Sequence, residues 1–251
     1  SFFEFYYRAQ GADVGFDEAV TEDDIARVRI KNATNLFSLE QADWGISPTV
    51  WQWSLHPEEF HKKISVLHDG VDTEQCVPDL QASVTLPGGK TFCRGDKVVT
   101  YIARNFEPYR GFPTFMQAAE ILLRERPDLH IVAVGADDVS YGKRAEGGSY
   151  RSQWMQRVTL PSDRIHFVGT LPYAQLLRLL QVSAAHLYLT FPFVLSWSML
   201  EAMACGVALV ASDTKPVLEV VEHEKNGLIA DFFSPQDVAR KVMQLLDDPT
   251  D

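Results

Sequence analysis

The chain has 251 residues, 46% hydrophobic and 23% charged, with a formal net charge of −11. That composition is ordinary for a soluble globular protein with a normal core. The acidic balance excludes nucleic acid as the main partner, since phosphate backbones demand basic patches, and argues more weakly against electrostatic membrane attachment. No apolar run approaches the roughly 18 residues of a membrane span; the longest, His186 to Val194, is interrupted by Pro192. No signal-peptide pattern is read, although a chain starting at Ser1 leaves room for an upstream segment. Cys76, Cys93 and Cys205 lie far apart and in no zinc-like spacing, which fits reduced thiols in a cytosolic protein.

In chain order, Ser1 to Val20 is aromatic-rich and aperiodic, resembling the interior of a fold more than a natural beginning. A helix is predicted from about Thr21 to Leu39, then short strands at Asp43 to Ser47 and Ile64 to His68. So few elements make a poor independent core, so residues 1–75 are assigned to a larger domain. Turn formers including Pro87, Gly88, Gly89 and Gly95 mark residues 76–96 as a linker or boundary. From Lys97 the pattern becomes regular. Val98 to Ala103 is a strand, and Phe115, Ala118, Ala119 and Leu122 form one helical face. Strands follow at Leu129 to Val134 and Ile165 to Val168, with a helix from Pro172. Further strands occupy His186 to Leu189, Val207 to Ala211 and Gly227 to Ala230. Ser234 and Pro235 start a last helix as N-cap and first helical residue. Apolar strands alternating with helices indicate an open parallel α/β sheet over residues 97–251. In such sheets ligands bind outside the carboxyl ends of the strands, which directs attention to the loops that follow them.

Three loops carry chemistry-bearing residues. In Arg104-Asn-Phe-Glu-Pro-Tyr-Arg110-Gly111, two arginines flank a turn that opens a helix. Guanidinium groups suit phosphate through paired planar hydrogen bonds, yet the same residues could be solvated arginines beside a turn. In Phe193 to Gly206, serines precede a helix that carries Glu201 about one turn in. A helix N-terminus favours anions and a nearby acid can accept from ribose hydroxyls; a first-turn glutamate also simply favours the helix dipole. In Val210 to Val221, Ser212 and Asp213 fit a helix cap, while Glu219 and Asn226-Gly227 fit a helix surface and a turn.

Taken together these loops resemble glycosyltransferase family 4. The family's strand-Gly-Arg-x4-Lys-Gly loop corresponds to Ala103-Arg104…Arg110-Gly111, with arginine in the lysine position and one extra residue. Its Glu-x7-Glu motif before Ala-x-Ala-x-Gly is matched in its second half by Glu201-Ala-Met-Ala-Cys-Gly206. Ser212-Asp213…Glu219-Val220 and Asn226-Gly227-Leu228 follow in the family's order. Upstream, Ser47-Pro48-Thr49 and Ile64 to Asp72 are similar to the end of the family's N-terminal domain. Glu4 to Tyr7, Asp13 to Asp17 and Pro192 to Ser198 are similar to a bacterial subgroup. The departure is Phe193, which stands where the first glutamate of Glu-x7-Glu, the acid that touches the donor sugar, would fall.

The resemblance implies a retaining GT-B enzyme that moves a sugar from a UDP-, GDP- or ADP-linked donor to a hydroxyl acceptor, without metal or further cofactor. It implies that this chain is a fragment, with a complete donor-binding domain at 97–251 and only a remnant of the acceptor-side domain. Arg104 and Arg110 would meet the diphosphate, and the backbone of Ser196, Trp197 and Ser198 would cap it. Glu201 would hold the ribose, and Gly169, Thr170 and Leu171 would contact the base. Phe193 is the sugar-facing candidate, and the acceptor-side catalytic residues stay unassigned. A cytoplasmic location is implied. Membrane association of the complete protein is compatible with the resemblance and receives no support from this chain. A non-catalytic nucleotide-sugar-binding module and another GT-B activity, such as a sugar-nucleotide epimerase, are the alternatives.

Overall fold

The structure, a computed structural model, describes residues 21–140, 144–192 and 195–247. The aromatic opening stretch and Phe193 therefore lie outside the described residues. The chain divides into two compact units, one of residues 1–69, 191–195 and 214–220, the other of residues 70–190, 196–213 and 221–251.

In the first unit, helix α1 (Glu22–Gln41) is followed by strand β1 (Gly45–Ser47), helix α2 (Val50–Ser54), a 3-10 turn at Glu58–Lys63 and strand β2 (Ile64–Val66). The two strands pair in parallel, Gly45 opposite Ile64 and Ser47 opposite Val66. Phe60, Ile64, Gln52 and His56 are buried between these pieces. The Thr49 side chain caps α2 by accepting from the Gln52 N–H.

The second unit begins with a hairpin, β3 (Ser83–Thr85) and β4 (Thr91–Cys93). These residues, expected to be boundary, instead contribute to a core: Val84, Leu86 and Phe92 are buried with Val98, Val132, Val134, Leu179 and Val182. Each strand is three residues long with only its central side chain buried, a pattern too short to stand out from the glycine-rich turn between them.

The remaining strands are β5 (Val98–Asn105), β6 (His130–Ala136), β7 (Ile165–Phe167), β8 (Ala185–Tyr188), β9 (Ala208–Ser212) and β10 (Leu228–Ala230). They form one sheet, in the order β10-β9-β8-β5-β6-β7, parallel throughout. All four residues of β8 are buried, as expected of a parallel strand covered on both faces. The helices are α3 (Phe112–Glu125), α4 (Tyr150–Trp154), α5 (Tyr173–Val182), α6 (Trp197–Ala204) and α8 (Pro235–Asp247); the short α7 (Lys215–Leu218) belongs to the first unit. Helix α3 packs on α8, and α5 packs on α6. The predicted apolar face of α3 is fully inside: Phe115, Ala118, Ala119 and Leu122 are all buried, and the Phe115 ring stacks on Tyr101 of β5 with centroids 4.2 Å apart. Ser234 caps α8 through the Asp237 N–H, as expected.

The chain enters the sheet at β5, moves outward through β6 and β7, then returns to the other side of β5 with β8. The order reverses between β5 and β8. At such a switch point the loops after the two strands diverge and leave a crevice.

Candidate functional site

The loop after β5 is held from below. Arg104, near the end of β5, is exposed, whereas Glu107 is completely buried. One carboxylate oxygen of Glu107 accepts from the Ser140 N–H at 2.7 Å, and the Asn105 amide bonds to the Ser140 hydroxyl at 2.6 Å. These bonds tie the loops after β5 and β6 together. Pro108–Arg110 then makes one 3-10 turn, and Gly111 caps α3 with φ +67° and ψ 19°, a left-handed conformation that glycine adopts without penalty. A Cβ there would lie 2.5 Å from the Leu189 Cβ. The N-terminus of α3 thus sits directly against the chain leaving β8.

Arg110 is half-buried at this junction. Its carbonyl accepts from the Tyr101 hydroxyl at 2.6 Å. Burial pushes the Tyr101 and Tyr188 phenols well up, and in both cases the Arg110 guanidinium offsets part of the rise. Tyr101 is in the middle of β5 and Tyr188 ends β8, so the Arg110 charge acts on a side chain of each strand that flanks the switch point.

The loop after β8 is pinned as well. Ser212, at the end of β9, donates its hydroxyl to the Thr190 carbonyl and accepts from the Thr190 N–H, both at 3.1 Å. The Ser196 N–H donates to the Tyr188 hydroxyl at 2.9 Å. Ser196 is the N-cap of α6, yet its side chain makes no capping bond; it pairs with the Ser198 hydroxyl at 3.2 Å. Trp197, the first residue of α6, is exposed. Glu201 lies one turn in and is 8% exposed, and its Oε1 accepts from the Tyr173 hydroxyl at 3.0 Å.

The third loop follows β7. Gly169 adopts φ +67°, and its carbonyl accepts from the Gly135 N–H at the end of β6. Thr170 is exposed, and Leu171 packs against the core cluster of the hairpin. Pro172 then caps α5, whose first residue is Tyr173. The three loops that the resemblance assigns to the donor thus leave β5, β8 and β7, with strand β6 between the first and last of them.

The comparisons with known proteins follow this arrangement. Residues 1–76 match the pattern of the Glycosyl transferase family 4 group, and residues 90–251 match that of Glycosyl transferases group 1. The chain belongs to the glycosyl transferases group 1 family. An uncharacterized glycosyltransferase of Methanocaldococcus jannaschii is 29% identical over 126 residues, which is 50% of this chain and 29% of that protein. Among solved structures, HepE of Anabaena in complex with UDP and glucose superposes with a TM-score of 0.68 at 18% identity, covering 91% of this chain and 60% of that one. Sucrose-phosphate synthase of Thermosynechococcus elongatus gives 0.69 at 20% identity, covering 99% and 57%. The C-terminal domain of a Francisella tularensis group 1 glycosyltransferase gives 0.59 at 22% identity, covering 72% and 89%. At these identities the likeness is one of fold, and that fold is the α/β architecture of GT-B glycosyltransferases. The chain spans less than two thirds of the archaeal relative, of HepE and of the sucrose-phosphate synthase.

Within this group 1 glycosyltransferase chain, several polar residues have structural jobs that differ from those expected. Ser212 holds the loop after β8, and Asp213 accepts from the Phe232 N–H at 3.1 Å, so neither caps α7; Thr214 stands at that position. Glu219 is no bare helix-surface residue. Its two oxygens accept from the Val50 and Trp51 N–H groups, at 2.8 and 2.7 Å, at the N-terminus of α2. Asn226 does close a turn, accepting from the Glu222 N–H. Two residues absent from the expected set are Glu107 and Tyr173. Only the pairing of distant loops makes them visible, because their partners lie 33 and 28 positions away. Among the described residues no helix is long and apolar enough to cross a membrane.

Proposed function

We propose that this chain is the nucleotide-sugar-binding half of a retaining, metal-independent family 4 glycosyltransferase of bacterial, cytoplasmic type. Residues 97–251 form its donor domain, with the 83–93 hairpin packed into the same core, and residues 1–75 are the tail of its acceptor-side domain. The complete protein would transfer the sugar to a hydroxyl acceptor. The observation that carries the reading is Glu201. It is a nearly buried carboxylate held by a hydroxyl donor, one turn inside a helix whose serine N-cap makes no side-chain cap, at the end of a strand bordering the switch point.

The chemistry follows from charge. A leaving nucleoside diphosphate carries its negative charge on oxygens that need donors fixed in advance. Arg104 and Arg110 supply charged donors after β5, and the first turn of α6, through the backbone around Ser196, Trp197 and Ser198, supplies N–H groups and the positive end of a helix dipole. Glu201 accepts from the ribose hydroxyls. The resemblance assigns the base to the Gly169, Thr170 and Leu171 backbone and makes Phe193 the sugar-facing candidate. The ligation of HepE by UDP and glucose is consistent with such a donor. A non-catalytic nucleotide-sugar-binding module is the second reading, favoured by Phe193 in place of a sugar-contacting acid.

A thermal-shift screen of UDP, GDP, ADP and their sugar conjugates identifies the ligand, since a ligand bound to the native state raises stability according to its concentration over its dissociation constant. By calorimetry, Glu201→Ala is expected to lose about 10- to 100-fold in nucleotide affinity while still folding, the range for hydrogen bonds to a charged group. Unchanged affinity would count against the assignment. Arg104→Ala and Arg110→Ala are expected to weaken diphosphates more than nucleosides; equal loss for both would remove them from the phosphate site. Turnover of a donor sugar by the complete protein separates the enzyme from the binding module.

A further inference from the structure

Glu201 is a flexible residue asked to do a rigid job. A vicinal diol is read well only when the carboxylate plane is fixed, and a free glutamate has three torsions to lose. Tyr173 supplies the missing restraint. It is the first residue of α5, follows the Gly169 to Leu171 loop with only Pro172 between, and donates its hydroxyl to Glu201 Oε1 at 3.0 Å. That bond engages one lone pair of Oε1. It leaves the second lone pair and all of Oε2 to accept from other donors.

We propose that Tyr173 is a positioning residue that orients Glu201 for the ribose diol and so sets the preference for ribonucleotides over 2′-deoxyribonucleotides. The inference rests on the assignment of Glu201 to the ribose. Tyr173 reaches that acid from the loop assigned to the base, so it mechanically joins the two parts of a nucleoside. Tyr173 is 44% exposed while the Glu201 it holds is 8% exposed. A nucleoside could therefore cover the ring without displacing the bond. The Cys76 thiol lies 3.5 Å from the phenol oxygen. The Cys76 bond, burial and the neighbouring Glu201 charge all raise the phenol pKa, keeping Tyr173 a donor at neutral pH. The neighbouring Cys205 thiol is likewise pushed up to about 11 by burial, Cys76 and Glu201, so it adds no competing anion near neutrality.

The test measures dissociation constants of this chain for UDP, GDP and ADP and for the 2′-deoxy form of the tightest of them. The proteins are the wild type, Tyr173→Phe, Glu201→Ala and the double variant. The wild type is expected to favour the ribonucleotide about tenfold or more, the scale of a hydrogen bond to a charged group. Tyr173→Phe is expected to reduce that ratio several-fold, mainly through loss of ribonucleotide affinity. In the Glu201→Ala background, Tyr173→Phe is expected to change the ratio no further. Equal weakening of both nucleotides by Tyr173→Phe would indicate a merely structural tyrosine and overturn the proposal. A collapsed ratio in Glu201→Ala with a wild-type ratio in Tyr173→Phe would overturn the positioning role and leave the Glu201 assignment standing. A wild-type ratio in Glu201→Ala, or no binding of any of the three diphosphates, would remove the Glu201 assignment and the proposal with it.

Discussion

Gly111→Ala tests whether the switch point is built by close backbone approach. Two separate penalties apply. The residue sits at φ +67°, where an L side chain costs about 1–2 kcal/mol. The new Cβ would also lie 2.5 Å from the Leu189 Cβ and 3.1 Å from the Phe232 ring, whereas carbon pairs attract at about 3.5–4.0 Å. The nearest atom is a Cβ attached directly to the backbone, so the clash cannot be relieved by turning a side-chain tip. Either α3 or the chain after β8 must move, and overpacking of that kind costs about 1–3 kcal/mol. The sum, about 2–5 kcal/mol, is a large part of the 5–15 kcal/mol typical of a domain. With a urea m-value of about 2.5 kcal/mol per M, the midpoint falls by about 1–2 M at unchanged slope. Because Arg110 immediately precedes Gly111, the folded variant is also expected to bind nucleoside diphosphates more weakly. A urea midpoint within about 0.2 M of the wild type would show that the two loops are free to separate, and the argument from close approach would fail.

Other predictions concern the core and its titration. Phe92 is 2% exposed in the hairpin cluster, so Phe92→Ala is expected to cost about 3–5 kcal/mol in urea unfolding; a loss below about 1 kcal/mol would mean the hairpin is peripheral. Glu219→Gln keeps the shape of the acceptor at the α2 N-terminus but removes its charge and one acceptor oxygen. It is expected to destabilise by about 1–3 kcal/mol, and an unchanged midpoint at low salt would refute the capping role. Stability is expected to fall below neutral pH because of His186. Burial lowers its pKa from 6.5 to about 3, so between those values the unfolded chain binds a proton that the folded chain refuses, costing ~1.4 kcal/mol per pH unit well below 6.5. His56, His130 and His166 are lowered in the same direction, chiefly by burial. His186→Leu is expected to flatten the dependence by up to one proton, and an identical slope would exclude His186 as its source.

What was legible in the sequence divides along a physical line. The six-stranded sheet could be read because a parallel strand covered on both faces must be apolar without interruption. Ile131 to Val134 is such a run, Val98 to Tyr101 is broken only by Thr100, and every one of those side chains is buried. The α3 stripe was equally plain, since its buried residues follow helical spacing. The hairpin at 83–93 was not, because three-residue strands carry one buried side chain each and the surrounding Pro87-Gly88-Gly89 dominates the local signal. The short helices α2 and α4 escaped for a similar reason: five residues give no periodicity.

The site divides the same way. Gly111, Ser196 and Glu201 were legible because each is placed by its own local backbone, as a left-handed turn, the N-cap position of α6 and an acid one turn inside it. The residues that hold them in place act across loops. Glu107 reaches the Ser140 N–H, Ser212 bridges to Thr190, and Tyr173 reaches Glu201. A single sequence records such a side chain but not its partner, since the pairing exists only after β5, β6 and β8 have been laid side by side. Sequence therefore exposes the groups proposed to meet a nucleotide more readily than the groups that hold them in place. In this chain the aiming is specific: Glu107 fixes the arginine-bearing loop from beneath, Ser212 fixes the approach to α6, and Tyr173 fixes the acid itself. Removing Glu201 should cost both nucleotide affinity and the ribose preference, whereas removing the Tyr173 hydroxyl should weaken ribonucleotide binding by a smaller factor and leave deoxyribonucleotide binding nearly unchanged. That difference is what the paired ribo- and deoxyribonucleotide measurements on Tyr173 and Glu201 are designed to expose.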